Sequence, residues 1–203
     1  ELEAVLERFR GEIAQVPPMY SAVKIGGRKL YELARKGTEV ERPSRRVTIR
    51  ALEVLEEADV RRDAPCGFEP EPDTWFLRVA CSKGTYVRTL CHEIGQALGC
   101  GGTLSALRRT RAAGFGLEGA VTLEQVRAAG DPAALLLPVD AYFARYPALT
   151  VPDAALSRAK NGNPFPCAAA DGDWRVYGPD GAFLLLGRCR GGQMKTIKSF
   201  FEV

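Results

Sequence analysis

The chain has 203 residues, of which 46% are hydrophobic and 26% are charged, a composition typical of a folded protein with one large domain or two smaller ones. It contains no run of 18 or more apolar residues, which excludes a membrane-spanning helix of the usual kind. The net charge of +3 does not by itself indicate a nucleic-acid-binding protein, and six cysteines without a CxxC pair, with only one histidine, argue against a zinc site.

The first residues predict an amphipathic helix over residues 1–14, with Leu2, Val5, Leu6 and Phe9 on one face. Such a helix needs a surface to pack against, yet the sequence starts inside it and without an initiator methionine. We therefore expect that an N-terminal part of the parent protein is missing. The cysteines predict reduced thiols in a cytoplasmic protein.

Residues 15–45 predict an irregular basic insertion, which is more typical of a binding loop than of a linker. Within it, LYELARKG predicts a short helix that ends at Gly37. The stretch from Lys24 to Arg50 contains nine basic residues and three acidic ones. The stretch from Lys83 to Arg111 contains five basic residues and one acidic residue. Segregated basic charge favours a polyanionic partner, and a solvated charged face is the alternative.

Two strands and a helix are predicted next. Residues 46–55 and 75–82 are predicted to be strands. The acidic, proline-rich residues 57–74 between them are predicted to be a solvated hairpin tip. The KGTY turn then leads into a helix with Arg88 in its first turn. Backbone N–H groups leave a partial positive charge at a helix start, so a cation is disfavoured there. We therefore expect Arg88 to meet an anion.

The glycine-rich GCGG segment at residues 99–102 lacks the spacing of a phosphate-binding loop and is interpreted as a helix end. Thr103 is then the predicted N-cap of a short helix, LSALRR, and Thr122 with Gln125 predicts a capping box for a further helix. From about residue 147, short strands and turn glycines, including a hairpin in WRVYGPDGAFLLL, predict a compact β-rich domain. Cys81, Cys91, Cys100 and His92 are interpreted as core residues.

Two segments, QVPPMYSAVKIGGRKLYELARK (15–36) and KGTYVRTLCHEIGQALGCGGTLSALRRTRAAGF (83–115), resemble the bacterial TruB family of tRNA pseudouridine synthases. KNGNPF (160–165) resembles the start of that family's PUA-type RNA-binding domain. The resemblance implies an α+β fold: part of a catalytic domain over residues 1–146, with a mixed, largely antiparallel sheet and a thumb insertion at about 15–45. A small β-barrel-like PUA domain over residues 147–203 would follow.

The resemblance also implies a reaction, the isomerisation of the T-loop uridine at tRNA position 55 to pseudouridine, with no cofactor and no metal. By the match to the family's motifs, Arg88 pairs with the catalytic aspartate, Tyr86 lines the uracil pocket and Leu107 closes it. The aspartate motif itself has no counterpart in this sequence. We therefore expect a monomer that contacts the T-arm of tRNA but is inactive as the 203-residue chain alone.

The resemblance places a further set of aromatic and basic residues in contact with RNA. They are Tyr20, Lys24, Arg28, Lys29, Tyr31, Arg35, Lys36, Lys83, Arg108, Arg109 and Arg111. Alternatives stay open both for single residues and for the function of the whole protein. Tyr86 and Leu107 also suit ordinary core positions, and the whole protein would show the same thumb if it were a non-catalytic RNA-binding module or T-arm chaperone.

Overall fold

The computed structural model describes residues 1–56, 58–60 and 73–201, and the chain divides into two compact units, Glu1–Arg109 and Thr110–Val203. Both units combine helices with a β-sheet, which confirms the predicted α+β class. Among the described helices, none has the length and apolar character needed to cross a membrane. The domain boundary expected from the sequence, at residues 146–147, stays a prediction.

The elements of the first unit in chain order are α1 (Leu2–Glu7), β1 (Gly11–Gln15), β2 (Lys24–Ile25), β3 (Arg28–Lys29), α2 (Leu30–Ala34), β4 (Arg45–Val54), β5 (Leu77–Cys81) and α3 (Val87–Leu98). The unit is a three-stranded antiparallel sheet, in the order β1-β4-β5, with helices packed on it. The strands predicted at 46–55 and 75–82 are confirmed within one or two residues at their ends. The predicted hairpin tip at 57–74 lies mostly outside the described residues.

The core of the first unit forms where α1 and α3 cover one face of the sheet, and it contains Leu6, Ile49, Leu52, Leu90 and Ile94. Strand β4 buries Val47 and Ile49 and then changes phase to bury Leu52. The change coincides with a register shift between Ile49 and Ala51 in the pairing with β5. An extra residue of this kind moves every later side chain to the opposite face, so the bulge keeps the apolar residues of β4 in the core.

The helix predicted over residues 1–14 is wrong in its second half. Helix α1 ends at Glu7, and Gly11–Gln15 is strand β1, paired with β4. Gly11 has a φ of +85°, a conformation that glycine adopts without strain and that turns the chain from helix into strand. Arg10 closes the junction, because its Nε and Nη2 atoms donate to the carbonyl of Leu52 at 3.0 and 2.7 Å.

The helices and strands of the second unit are β6 (Arg111–Ala112), β7 (Phe115–Gly116), α4 (Leu123–Ala128), β8 (Ala148–Thr150), α5 (Asp153–Lys160), β9 (Phe165–Pro166), β10 (Gly172–Tyr177), β11 (Phe183–Arg190) and β12 (Gln193–Ser199). The unit is built on a five-stranded sheet in the order β8-β10-β11-β12-β9, in which β8 pairs parallel to β10 and the other pairs are antiparallel. The predicted hairpin is confirmed as β10 and β11.

The core of the second unit lies between α5 and the sheet. Ala155 and Ala159 bring one face of the helix close to the strands, and Phe165, Leu185 and Met194 fill the space, all of them 7% exposed or less. The two units thus have separate apolar cores, each with its own covering helices.

Candidate active site

A strand, a tight turn and a helix place the candidate active-site residues at one end of the first sheet. Strand β5 ends at Cys81, and the turn is closed by Thr85, whose Oγ1 donates to the carbonyl of Ser82 at 2.9 Å. Helix α3 then starts with Tyr86 at its N-cap and Arg88 as its second residue. The predicted placement of Arg88 in the first helical turn is confirmed.

The Arg88 guanidinium is exposed and reaches across to the basic insertion. Its Nη2 atom donates a hydrogen bond to the backbone carbonyl of Tyr20, 2.8 Å away. Within the described part of the chain, no carboxylate lies within ion-pair distance of this guanidinium. One neutral carbonyl occupies one of five N–H donors. The guanidinium can therefore bind a planar anion and keep its hydrogen bond to the Tyr20 carbonyl at the same time.

Tyr86 is held by Gln15, a residue that the sequence analysis missed. The side-chain amide of Gln15 accepts a hydrogen bond from the Tyr86 N–H at 2.8 Å and donates one to the Tyr86 carbonyl at 3.2 Å. Gln15 is only 2% exposed, at the end of β1. Its two hydrogen bonds connect the start of α3 to the sheet and so fix the position of the Arg88 backbone. A glutamine two residues before Pro17 is the only signal in the sequence, and it does not point to a partner 71 residues away.

A cleft of about 390 Å³ lies beside Arg88. Its lining residues are Val16, Pro18, Met19, Arg42, Arg88, Thr89, His92 and Glu93. Two arginines face an otherwise largely apolar wall, a combination that suits an anionic group attached to a flat apolar one. Burial raises the pKa of the Glu93 carboxyl, and the charge of the neighbouring His92 opposes that rise. Both residues line the cleft, whereas His92 was expected in the core.

Arg42 is the second cation of the cleft and was counted in the sequence only as part of the basic segment. Its Nη1 donates to the carbonyl of Pro17 at 3.3 Å, and its Nη2 pairs with Glu39 at 2.9 Å. The side chain is only 20% exposed. Arg42 therefore fixes the Pro17-Pro18 loop that forms the cleft wall.

Leu107 lies outside this arrangement. The short helix predicted over LSALRR is wrong, because residues 103–110 have no regular secondary structure, and Leu107 is 59% exposed. A helix of six residues is only marginally stable unless its apolar face packs against the rest of the protein. The apolar face of this segment has no such packing. Of the described residues, those that line the cleft do not include Leu107. Arg108 and Arg109 share the irregular segment, and Arg111 opens β6.

The glycine-rich loop ends α3, as predicted, and it also packs against the helix. Gly99 ends the helix with a φ of +81°, and the loop folds back so that the Gly101 N–H donates to the carbonyl of Gly95 at 3.0 Å. A Cβ atom on Gly95 would lie 2.2 Å from the Gly101 backbone. Only glycine permits this close approach. Cys100, expected in the core, is exposed on this loop.

The basic insertion contains the predicted short helix, α2, and a hairpin that was not predicted, and the rest of it is irregular as expected. Strands β2 and β3 pair Lys24 with Lys29 across a Gly26-Gly27 turn, which places two like charges directly opposite each other. The Lys29 ammonium group lies 5.5 Å from the centre of the Tyr31 ring, and the Arg35 guanidinium lies 5.3 Å from it. Tyr20 is 60% exposed. This concentration of cations and exposed rings is a suitable surface for phosphates and unstacked bases.

Among the described residues, no group of three or more histidine, cysteine, aspartate or glutamate side chains could hold a metal ion. The remaining predicted RNA contacts are Arg28, Lys36 and Lys83. They are exposed residues of β3, of the turn after α2 and of the turn before α3. The site therefore consists of a held arginine, an anchored tyrosine, a two-arginine cleft and a neighbouring basic hairpin.

This mixed fold occurs in known structures. The chain is similar to a chain in the crystal structure of a Cbf5-Nop10-Gar1 complex, with a TM-score of 0.64 and 24% identity over 98% of this chain and 61% of the other. An identity at this level shows the fold alone. Residues 1–87 match the model described as "TruB family pseudouridylate synthase (N terminal domain)", and residues 88–144 match "tRNA pseudouridylate synthase B C-terminal domain".

The chain belongs to the TruB family of pseudouridylate synthases, as its motifs predict. A "tRNA pseudouridine synthase B" of Cupriavidus pinatubonensis is 45% identical over 205 residues, which cover 96% of this chain and 62% of the relative. The protein of the same name from Geobacillus kaustophilus is 49% identical over 165 residues, which cover 80% of this chain and 55% of the relative. The chain thus spans about 60% of the length of the curated relatives it matches.

Proposed function

We propose that the chain is part of an enzyme that isomerises a uridine in tRNA to pseudouridine, and that the uridine is the one at position 55 in the T-loop. Family membership and the names of the relatives support the reaction. The single observation that carries the proposal is the start of α3, where Tyr86 and Arg88 are held in place beside a cleft with a second arginine.

The reaction cleaves the N-glycosidic bond of uridine, turns the uracil, and rejoins it to the ribose through carbon 5, which loses its hydrogen to solvent. An enzyme reaches such a base by flipping it out of its stack. The family uses an aspartate for this chemistry, and the family's aspartate motif is absent from these 203 residues. In the complete enzyme, Arg88 would bind that carboxylate with its forked N–H groups and keep it ionised. Tyr86 would lie against the uracil, and Leu107, whose side chain is exposed, would close the pocket.

The basic hairpin supports contact with tRNA, and we propose that the T-arm is the part that is bound. Lys24 and Lys29 repel each other across β2 and β3, and an RNA phosphate between them would relieve that repulsion. Tyr20 and Tyr31 would then meet loop bases. We propose that residues 147–203 are the PUA-type domain, which adds a second RNA contact from a β-rich fold. We further propose that the protein is a monomer and acts in the cytoplasm.

An assay with T-arm RNA that carries tritium at carbon 5 of its uridines tests the proposal, because formation of pseudouridine releases the label. The 203-residue chain alone should release none, whereas the chain joined to the family's aspartate-bearing segment should release it. Release by the 203 residues alone would show that the catalytic acid had been assigned wrongly. RNA binding without release by the longer protein would favour the non-catalytic module.

Substitution of Arg88 tests the mechanism in the longer protein. Arg88→Lys keeps the charge but loses the fork, and it should lower turnover at least about 100-fold, the effect typical of a lost charge-stabilising contact. T-arm affinity should change little. Arg46→Lys is the matched control, since Arg46 is exposed and pairs with Glu12 at 2.7 Å outside the cleft. Equal turnover for wild type and Arg88→Lys would remove Arg88 from the mechanism.

A further inference from the structure

Two cysteines of the second unit form a sulfur pair that the proposed function does not use. Cys167 follows β9, Cys189 lies in β11, and their Sγ atoms are 3.0 Å apart. A disulfide bond is about 2.05 Å long, so the two sulfurs are about 1 Å from bonding distance. The sequence gives no hint of the pair, because 22 residues separate the two cysteines and neither belongs to a CxxC motif.

The backbone on both sides of the pair is held by hydrogen bonds. The Cys167 N–H donates to the carbonyl of Gly192 at 2.9 Å, at the turn that joins β11 to β12. Cys189 is paired with Gly172 on one side and with Met194 on the other. A bond between the sulfurs therefore needs a change in the side-chain torsions and little movement of the strands.

The two thiols differ in access. Cys189 is fully buried, and its Sγ donates to the carbonyl of Ala169 at 3.2 Å, whereas Cys167 is partly exposed. The hydrogen bond with Cys167, followed by burial, raises the pKa of the Cys189 thiol. A solute thus reaches Cys167 first, and Cys189 is positioned behind it as the second thiol of the pair.

We propose that Cys167 and Cys189 are a reactive dithiol that a low-molecular-weight disulfide, such as glutathione disulfide, converts to an intramolecular disulfide. The Cys167 thiolate attacks one sulfur of the reagent, which forms a mixed disulfide and releases one glutathione thiolate. Cys189 then loses its proton and attacks the Cys167 sulfur, and the second glutathione leaves. Two cysteine thiols are oxidised, and one small disulfide is reduced to two thiols.

The bond would strengthen one wall of a cleft in the second unit. This cleft of about 710 Å³ is lined by Tyr146, Asp171, Gly172, Asp173, Arg188 and Arg190, and Cys189 borders it without any exposed surface. Asp171 lies on the segment between Cys167 and β10, where its carboxylate accepts from the Gly191 N–H at 2.9 Å. A link from Cys167 to β11 fixes both ends of that segment. The redox state of the pair would thus control how firmly Asp171 is held at the cleft.

Peptide mapping of the full 203-residue chain tests the proposal directly. The chain is incubated with glutathione disulfide, its remaining thiols are blocked with N-ethylmaleimide, and it is digested with trypsin without reduction. The expected product joins residues 161–175 to residues 189–190, and it disappears on reduction. The oxidised chain should also unfold several degrees higher than the reduced one, because a cross-link restricts the unfolded state. An unmodified Cys167, a glutathione adduct that goes no further, or a link to another cysteine would overturn the proposal.

Two variants separate the pair from the other cysteines. Cys189→Ser should leave Cys167 as a stable glutathione adduct and abolish the difference in unfolding temperature. Cys100→Ser is the matched control, because Cys100 is exposed on the loop after α3, and this variant should form the 167–189 link as the wild type does. A variant that lacks Cys100 and also loses the link would contradict the assignment of Cys189 as the second thiol.

Discussion

Gln15 makes two hydrogen bonds to the backbone of Tyr86 at the start of α3, one to its N–H and one to its carbonyl. Its side-chain amide is both donor and acceptor. It accepts from the Tyr86 N–H, which the helix leaves without a partner, and it donates to the Tyr86 carbonyl, which also accepts from the Leu90 N–H at 3.0 Å. The charge of Arg88 made its position noticeable in the sequence. Gln15 has no such signal, because its importance depends on a partner that only the folded chain brings to it.

Gln15→Ala should destabilise the first unit and expose the Tyr86 amide. A buried backbone group that loses its partner costs about 1–3 kcal/mol. Here that group is the Tyr86 N–H, since the Tyr86 carbonyl keeps its bond from the Leu90 N–H. Urea unfolding and residue-resolved hydrogen exchange measure the loss, which should appear first at Tyr86. Gln96→Ala is the control, since Gln96 is an exposed residue of α3 and its loss should cost within about 0.5 kcal/mol. Equal effects of the two changes would contradict the anchoring role of Gln15.

At the scale of elements, two threonines were predicted to cap helices, and one prediction is confirmed. Thr122 Oγ1 accepts from the Gln125 N–H at 3.2 Å, while the Gln125 side chain accepts from the Thr122 N–H at 2.7 Å. Thr103 caps nothing, because its segment does not form a helix. The capping box succeeded because both of its bonds are local. The Thr103 cap failed because it required an apolar face that finds no cover.

The two threonines provide a matched experiment. Thr122→Ala should cost about 1 kcal/mol, the usual cost of removing an N-cap, whereas Thr103→Ala should stay within about 0.5 kcal/mol. Urea unfolding of the two variants at equal m value measures both changes. A loss for Thr103→Ala as large as that for Thr122→Ala would show that the 103–110 segment forms a capped turn in solution.

The β2–β3 hairpin is the element expected to respond to RNA. Lys29→Ala should remove one phosphate contact and reduce the slope of log affinity against log salt by about 0.7–0.9 for a T-arm hairpin. Filter binding of the 203-residue chain over a range of salt concentrations measures the slope. Arg127→Ala serves as the control, since Arg127 is an exposed cation of α4 outside the predicted set. Identical slopes for Lys29→Ala and the wild type would exclude Lys29 as a phosphate contact.

At the scale of the whole molecule, two apolar cores stabilise two units. Leu52 is central to the first core and Leu185 to the second, and each has no exposed surface. Leu52→Ala should cost about 2–5 kcal/mol and accelerate amide exchange in β4 but not in β11, and Leu185→Ala should do the reverse. Exchange of both strands is followed in one experiment on each variant. Equal acceleration of both strands by either change would contradict the separate cores.

The sequence by itself determined the α+β class, the strands β4 and β5, the β10–β11 hairpin, the Thr122 cap and the position of Arg88 in a helix start. Periodicity, turn residues and caps act over a few residues, so they can be read along the chain. The resemblance of its motifs also gave the family, which the comparisons confirm.

Only the tertiary structure decided which distant groups meet. Helix α1 ends early, and the residues that follow it pair with β4 as strand β1. Gln15 contacts Tyr86, Arg88 contacts Tyr20, and Cys167 contacts Cys189. None of these contacts has a local signal, because each depends on a match of geometry between segments far apart in the chain. The physical reason is that a hydrogen bond or a sulfur contact needs its partner within a few ångströms, and packing of the sheets decides that distance.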